Sequence, residues 1–140
     1  MSTTSSNEAL IAQLNRALAL EMRAEVEYAH YAAYVKGIYR LHLKPFFESE
    51  ATESFNHANI VRNAINQLGG EAVTERDHTA ILHTTDYQVM LQEVLKTERL
   101  AAKTYHGILE MVTGNEELYD LIEQIYFAEV RSIEELTQLI

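Results

Sequence analysis

The chain has 140 residues, with one proline, five glycines, no cysteine and no tryptophan, and its 11 basic against 21 acidic residues leave a net charge of −10. The length fits one compact domain over residues 1–140, and so few turn-formers exclude a sandwich or barrel. The missing cysteines exclude disulfides, zinc ribbons, iron–sulfur clusters and thiol catalysis, while the acidic balance repels nucleic-acid phosphate and attracts cations.

No apolar run reaches membrane-spanning length, and the first seven residues lack the charged and apolar regions of a signal peptide. The expectation is a soluble, cytoplasmic chain with neither nucleic acid nor membrane as partner. Punctuation then divides it into four long segments. Ser5 and Glu8 have capping-box spacing, and a helical pattern runs from there to Lys36, stopped by Gly37. A connector over Ile38–Lys44 leads to Pro45, placed for a first helical turn, and the second segment runs to Leu68 before Gly69-Gly70. Asp86 is positioned to cap a third helix ending near Val112. Thr113-Gly114-Asn115 breaks the chain, and a fourth helix follows from about Glu116 almost to Ile140.

Each segment carries an apolar seam of period three to four, which predicts an all-α four-helix bundle. The first and third connections are short, so each joins an antiparallel pair. The stretch from Gly70 to Thr85 reaches ~50 Å when extended, whereas a 25-residue helix is ~38 Å long. That connector spans the bundle and makes the second and third helices parallel: one long crossover.

What interrupts the seams is more informative. Glu21, Glu53 with His57, Glu98 and Glu129 fall near the middles of the four helices in turn, and mid-helix positions of equal helices share one layer. Any one such Glu is readily a rim residue; four at the same depth are not. Buried carboxylates cost several kcal/mol each, and they are tolerated only with protons, paired bases or bound cations. The seams carry no Lys or Arg at this level, since Arg23, Arg99 and Arg131 lie off them. Carboxylate and imidazole donors together suit iron or manganese. Glu25 and Glu50, one turn from the layer, are candidates for auxiliary ligands or an ion path. His30, His42, His78, His83 and His106 read as surface histidines.

A faint repeat supports the layer. Glu21 precedes Tyr28 by seven residues and Glu98 precedes Tyr105 by the same seven, with Ala24 and Ala101 each three past the Glu. Two hairpins related by a pseudo-twofold axis would supply one Glu per helix to a two-metal site. Tyr28 and Tyr105 would each hydrogen-bond across to the other hairpin's ligands.

These residues resemble the ferritin-like superfamily, bacterioferritins most closely. The resemblance rests on Leu20-Glu-Met-Arg-Ala-Glu-Val-Glu-Tyr28, on Glu53…His57-Ala58 with Leu68-Gly-Gly70, on Glu98-Arg-Leu-Ala101 and on Glu129-Val-Arg-Ser132, in order along nearly the whole chain. It implies a bundle that takes up Fe²⁺ and oxidises it with O₂ or peroxide, for storage or detoxification, at Glu21, Glu53, His57, Glu98 and Glu129. The chain departs from the family's Glu-x-x-His motifs. Three places after Glu53 stands Asn56, with His57 one later; three places before His57 stands Ser54; and the fourth-helix histidine position is Ser132. One histidine ligand is displaced and the other absent. Ser54 also stands where bacterioferritins carry a haem-ligating Met, so no haem is implied. The alternative implied by these departures is a non-catalytic bundle with a degenerate metal site, serving structure or partner binding. A homo-oligomer is expected, a dimer at least and a cage as the larger alternative, with Tyr31, Tyr34, Tyr39 and Phe47 as candidates for the outer surface.

Overall fold

The computed structural model describes residues 2–140, with side chains from Asn7 onward. It consists of four helices, α1 (Ser2–Tyr34), α2 (Arg40–Gln67), α3 (Tyr87–Met111) and α4 (Glu116–Leu139). Two starts agree with their capping residues. The Asp86 carboxylate accepts from the Gln88 N–H at 2.8 Å, and the Asn115 side chain accepts from Leu118 N–H at 3.1 Å. Gly69 ends α2 with φ +82°, and the Gly70 N–H reaches back to the Ile65 carbonyl at 2.9 Å. That left-handed C-terminal turn is one glycine adopts without strain.

Two starts differ from expectation. The backbone is already helical at Ser2, ahead of the expected capping box, and the Ser5 side chain lies outside the described residues. In α2 the helix begins at Arg40, so Pro45 sits inside it rather than in the first turn. The proline removes only the bond its N–H would have given to the Leu41 carbonyl. Tertiary contacts outweigh that loss: Leu43 and Phe47 are buried on this stretch, and the Arg40 guanidinium donates to the carbonyls of Ala33 and Val35, closing the end of α1.

The crossover, residues 68–86, lies along α1 from end to end. The Val73 N–H donates to the Asn15 side chain, the Asp77 N–H to the Ala19 carbonyl, and the Tyr31 hydroxyl to the Leu82 carbonyl. The chain therefore travels the length of the bundle before α3 begins, so α2 and α3 are parallel and α1 is antiparallel to both. Arg23 is buried beneath this strap although its position is off the predicted seam. It donates to the Thr79 carbonyl and the Thr97 hydroxyl, and pairs with the fully buried Glu27 at 3.5 Å. The seam on α1 drifts, as a straight helix must against a 3.5-residue repeat. Ala24 and Glu27 are buried, while Glu25 is half-exposed beside Phe55.

Two apolar clusters fill the interior. One gathers Leu10 to Leu20, Ala58 to Ile65, Ala101 to Val112 and Leu118 to Ile125; the other gathers Ala24 to Val35, Leu43, Phe47, Met90 to Leu95 and Leu136. Tyr31 and Phe47 belong to this second cluster and are fully buried, which corrects their assignment to an outer surface; Tyr34 and Tyr39 are exposed. The inward face of α1 is wide enough to turn Tyr31 under the crossover, where its hydroxyl finds a backbone partner.

Candidate metal centre

The gap between the two apolar clusters is polar. Each helix enters it with one side chain at mid-height: Glu21 from α1, His57 from α2, Glu98 from α3 and Glu129 from α4. The three carboxylates are at most 2% exposed. His57 Nδ1 lies 3.2 Å from Glu21 Oε2 and 3.2 Å from Glu129 Oε1. One ligand atom from each of Glu21, His57 and Glu129 falls within 4.8 Å of the others, a spacing compatible with a single cation. Glu98 lies beside Glu129 and faces Tyr28.

Protonation follows from this geometry. Burial pushes the carboxyl groups of Glu21 and Glu98 up, His57 partly offsetting it at Glu21 and the charge of Glu129 adding to it at Glu98. Burial, then repulsion from Glu21, raises Glu129 to about 8. His57 shows the opposite balance. Burial alone would lower it, but hydrogen bonds to Glu129 and Glu21 hold the ring protonated up to about 10. The imidazolium is thus the layer's own cation, and it must release a proton before Nδ1 can bind a metal.

Even so, the layer is not satisfied. Among the described residues, Glu21 Oε1, Glu98 Oε1, Glu129 Oε2 and the Tyr28 hydroxyl are buried without a hydrogen-bond partner. Four such atoms in one layer are exceptional, because buried polar groups are almost always paired. Their chemistry, oxygen donors beside one imidazole, fits iron or manganese.

The remaining predicted residues are placed unequally. Glu53 has a side chain 41% exposed and approaches the outward nitrogen of His57, with Oε1 to Nε2 at 3.7 Å. It lines an open groove of ≈ 460 Å³ between α2 and α4 with His57 at its inner end. Ser54, three residues before His57, is the neighbour that points inward and is buried. The Tyr105 hydroxyl donates to Glu21 Oε2 at 2.7 Å, whereas its repeat partner Tyr28 makes no hydrogen bond. Glu50 comes closer than a residue one turn off the layer suggests: Ser132 Oγ donates to its Oε2 at 3.1 Å. The signal for this pair was in the spacing, since Ser132 shares a face with Glu129 and Glu50 with Ser54. The histidines expected at the surface include one pair, His30 Nε2 and His83 Nδ1, 2.9 Å apart across α1 and the crossover.

The arrangement, four helices with one long crossover around a mid-height carboxylate layer, is that of the diiron-carboxylate bundles. A model of the ferritin-like domain matches residues 11–140, and the chain belongs to that family. Among solved structures, a ferritin-like diiron-carboxylate protein from Bacillus anthracis is 34% identical, with 96% of each chain covered and a TM-score of 0.89. A bacterioferritin-related protein from Bacteroides fragilis, described as a dodecameric thioferritin, is 26% identical over 94% of this chain and 84% of its own, with a TM-score of 0.87. The Dps protein of Vibrio cholerae shares the fold, with a TM-score of 0.90 at 16% identity over 97% of this chain and 91% of that one. None of the curated proteins compared with the chain matches it.

Proposed function

We propose that residues 1–140 act as one domain that takes up Fe²⁺ inside the bundle and oxidises it with O₂ or peroxide, for storage or detoxification. Glu21, His57, Glu98 and Glu129 are the metal-holding residues, and Glu53 stands at the mouth on the solvent side of His57. Iron, or manganese in its place, supplies the redox chemistry. The chain's own side chains bind it, balance its charge and exclude bulk water. Tyr105 fixes the orientation of Glu21 through its hydrogen bond. Tyr28, facing Glu98, has a hydroxyl free to accept or donate at that end of the layer. The observation that carries the reading is the set of unpartnered buried oxygens between two apolar clusters.

The assembly we infer is a homo-oligomer, a dimer at least, working in the cytoplasm. Among the described residues no helix is long and apolar enough to cross a membrane. Anaerobic titration of the metal-stripped protein with Fe²⁺ tests the function. Stoichiometric binding is expected, weakened at least tenfold in Glu21→Ala and Glu98→Ala; the absence of binding by the parent chain rejects it.

Ser54 and Ser132 favour a second reading. Two small hydroxyls face the layer where the family carries stronger ligands, which suits a bundle that has given up redox chemistry. That protein would melt at the same temperature with and without a chelator, whereas a metal-binding core loses stability on stripping.

A further inference from the structure

The crossover and α1 bring together two histidines that the metal centre does not use. His30 follows Glu21 by nine residues on α1, which is about 14 Å along the helix axis. Its Nε2 lies 2.9 Å from Nδ1 of His83 on the crossover, with the two rings at 75°. His83 is exposed and His30 half-buried, so the pair sits on the outer wall of the bundle, open to solvent.

The surroundings hold both rings in place. Beside His30, the Tyr31 hydroxyl donates at 2.7 Å to the carbonyl of Leu82, the residue before His83. That bond fixes the crossover against α1 one residue from each imidazole. The Tyr34 ring packs on both, its centroid 4.7 Å from each, and limits how far either can turn. Little side-chain freedom remains to be lost when a ligand bridges the two nitrogens. Their separation indicates which ligand. Metal–imidazole bonds are about 2.0–2.1 Å long, so two at a right angle put the nitrogens about 2.9 Å apart, and two at the tetrahedral angle about 3.4 Å. The observed spacing is the first of these. A right angle belongs to the tetragonal coordination of Cu²⁺, which also binds such sites most tightly among the first-row divalent ions. In the metal-free pair one ring N–H donates to the other ring's lone pair. Moving that proton to the far nitrogen of its own ring leaves both facing nitrogens as lone-pair donors, with both imidazoles still neutral.

We propose that His30 Nε2 and His83 Nδ1 form a surface site for Cu²⁺, with water in the remaining coordination positions. The bound ion ties the crossover to α1. The site is separate from the carboxylate layer and stands whether or not that layer takes up iron.

The test is titration of the full chain with Cu²⁺, read by electron paramagnetic resonance and spin-echo modulation, which count coordinated imidazoles. The carboxylate layer contributes one imidazole, His57, so copper held there couples to a single ring. The surface site gives a two-imidazole signal, and one such ion per chain is expected. His30→Gln and His83→Gln should each abolish that signal and weaken the ion at least tenfold. His106→Gln, which removes another exposed histidine, should keep it. Hydrogen exchange gives a second readout: Cu²⁺ should slow exchange of the amides around His83 severalfold in the parent and leave it unchanged in both variants. Circular dichroism melts establish that each variant is folded, and the exposed His83→Gln carries the test if His30→Gln does not fold. A one-imidazole spectrum on the parent chain, or a two-imidazole spectrum that survives in either variant, overturns the site and leaves the pair as a hydrogen bond alone.

Discussion

At the scale of single residues, two tyrosines that are equivalent in sequence are not equivalent in the folded chain. The Tyr105 hydroxyl donates a hydrogen bond to Glu21, whereas the Tyr28 hydroxyl is buried without a partner. Removing one partner of a buried hydrogen bond leaves the other unsatisfied at a cost of about 1–3 kcal/mol, and removing an unpartnered hydroxyl costs far less. Urea unfolding of the metal-stripped protein should therefore show Tyr105→Phe destabilised by ~2 kcal/mol and Tyr28→Phe within ~0.5 kcal/mol of the parent. Equal losses would contradict the asymmetry. The α2 ligands show the limit of spacing at this scale. Glu53, Ser54 and Glu50 all lie within two turns of His57, and a seam read by period cannot say which one turns inward. The helix phase is set by tertiary packing of Leu43, Phe47, Ala58 and Val61, and it buries Ser54 while leaving Glu53 at the rim.

Among the elements, the crossover is the one whose role was legible from length and whose anchoring was not. Its reach predicts that it spans the bundle. Its grip depends on buried polar side chains that no apolar pattern reveals, and Asp77 is the central one. Its carboxylate accepts from Arg16 and from the Thr79 N–H, and lies 3.9 Å from the Arg23 guanidinium. Burial opposes ionisation there, but these partners prevail and hold the carboxyl well below its usual 3.8. A depressed acid contributes stability that is fully present above the unfolded-state value and is lost as pH falls through the folded one. Asp77→Asn should cost about 1–3 kcal/mol at neutral pH, and the difference from the parent should shrink as the pH is lowered below 4, measured by denaturant unfolding across that range. The helix starts teach a related lesson. Pro45 and Ser5 look like punctuation, yet neither opens its helix, because packing of Leu43 and Phe47 and the Arg40 cap extend α2 past the local signal.

For the molecule as a whole, the raised groups act together. Glu27 and Glu50 lie near 7, Glu129 near 8 and His57 near 10, each above its usual 4.5 or 6.5. Burial raises the three acids and would lower His57, whose carboxylate partners reverse that. Every one of them binds protons more tightly when folded, so the metal-free protein loses stability as pH rises through these values. For the acids the loss runs from about 4.5 to 8; for His57 it runs from 6.5 to 10. The melting temperature of the stripped protein should fall steadily between pH 5 and 9. The metal-loaded protein should show a much flatter profile, because cations take the place of the protons. A stripped protein whose stability rises over that interval would contradict the assignment. The class of fold, the crossover and three of the inward carboxylates were legible from periodicity and mid-helix placement. The inward turn of Ser54 in place of Glu53 was not, because the phase of α2 is set by packing rather than by residue spacing.

The polar layer also has a mechanical consequence. It cuts the interior into two apolar lobes that share the same four helices but are separate in their side-chain packing. The four helices run unbroken through the cut, but side-chain packing across it rests on the few polar groups of the layer. A cation held there would clamp four helices at one height, and its loss would let each lobe breathe on its own timescale. Loading would be felt far from the ligands, at both ends of the bundle, as a gain in cooperativity with no change of fold.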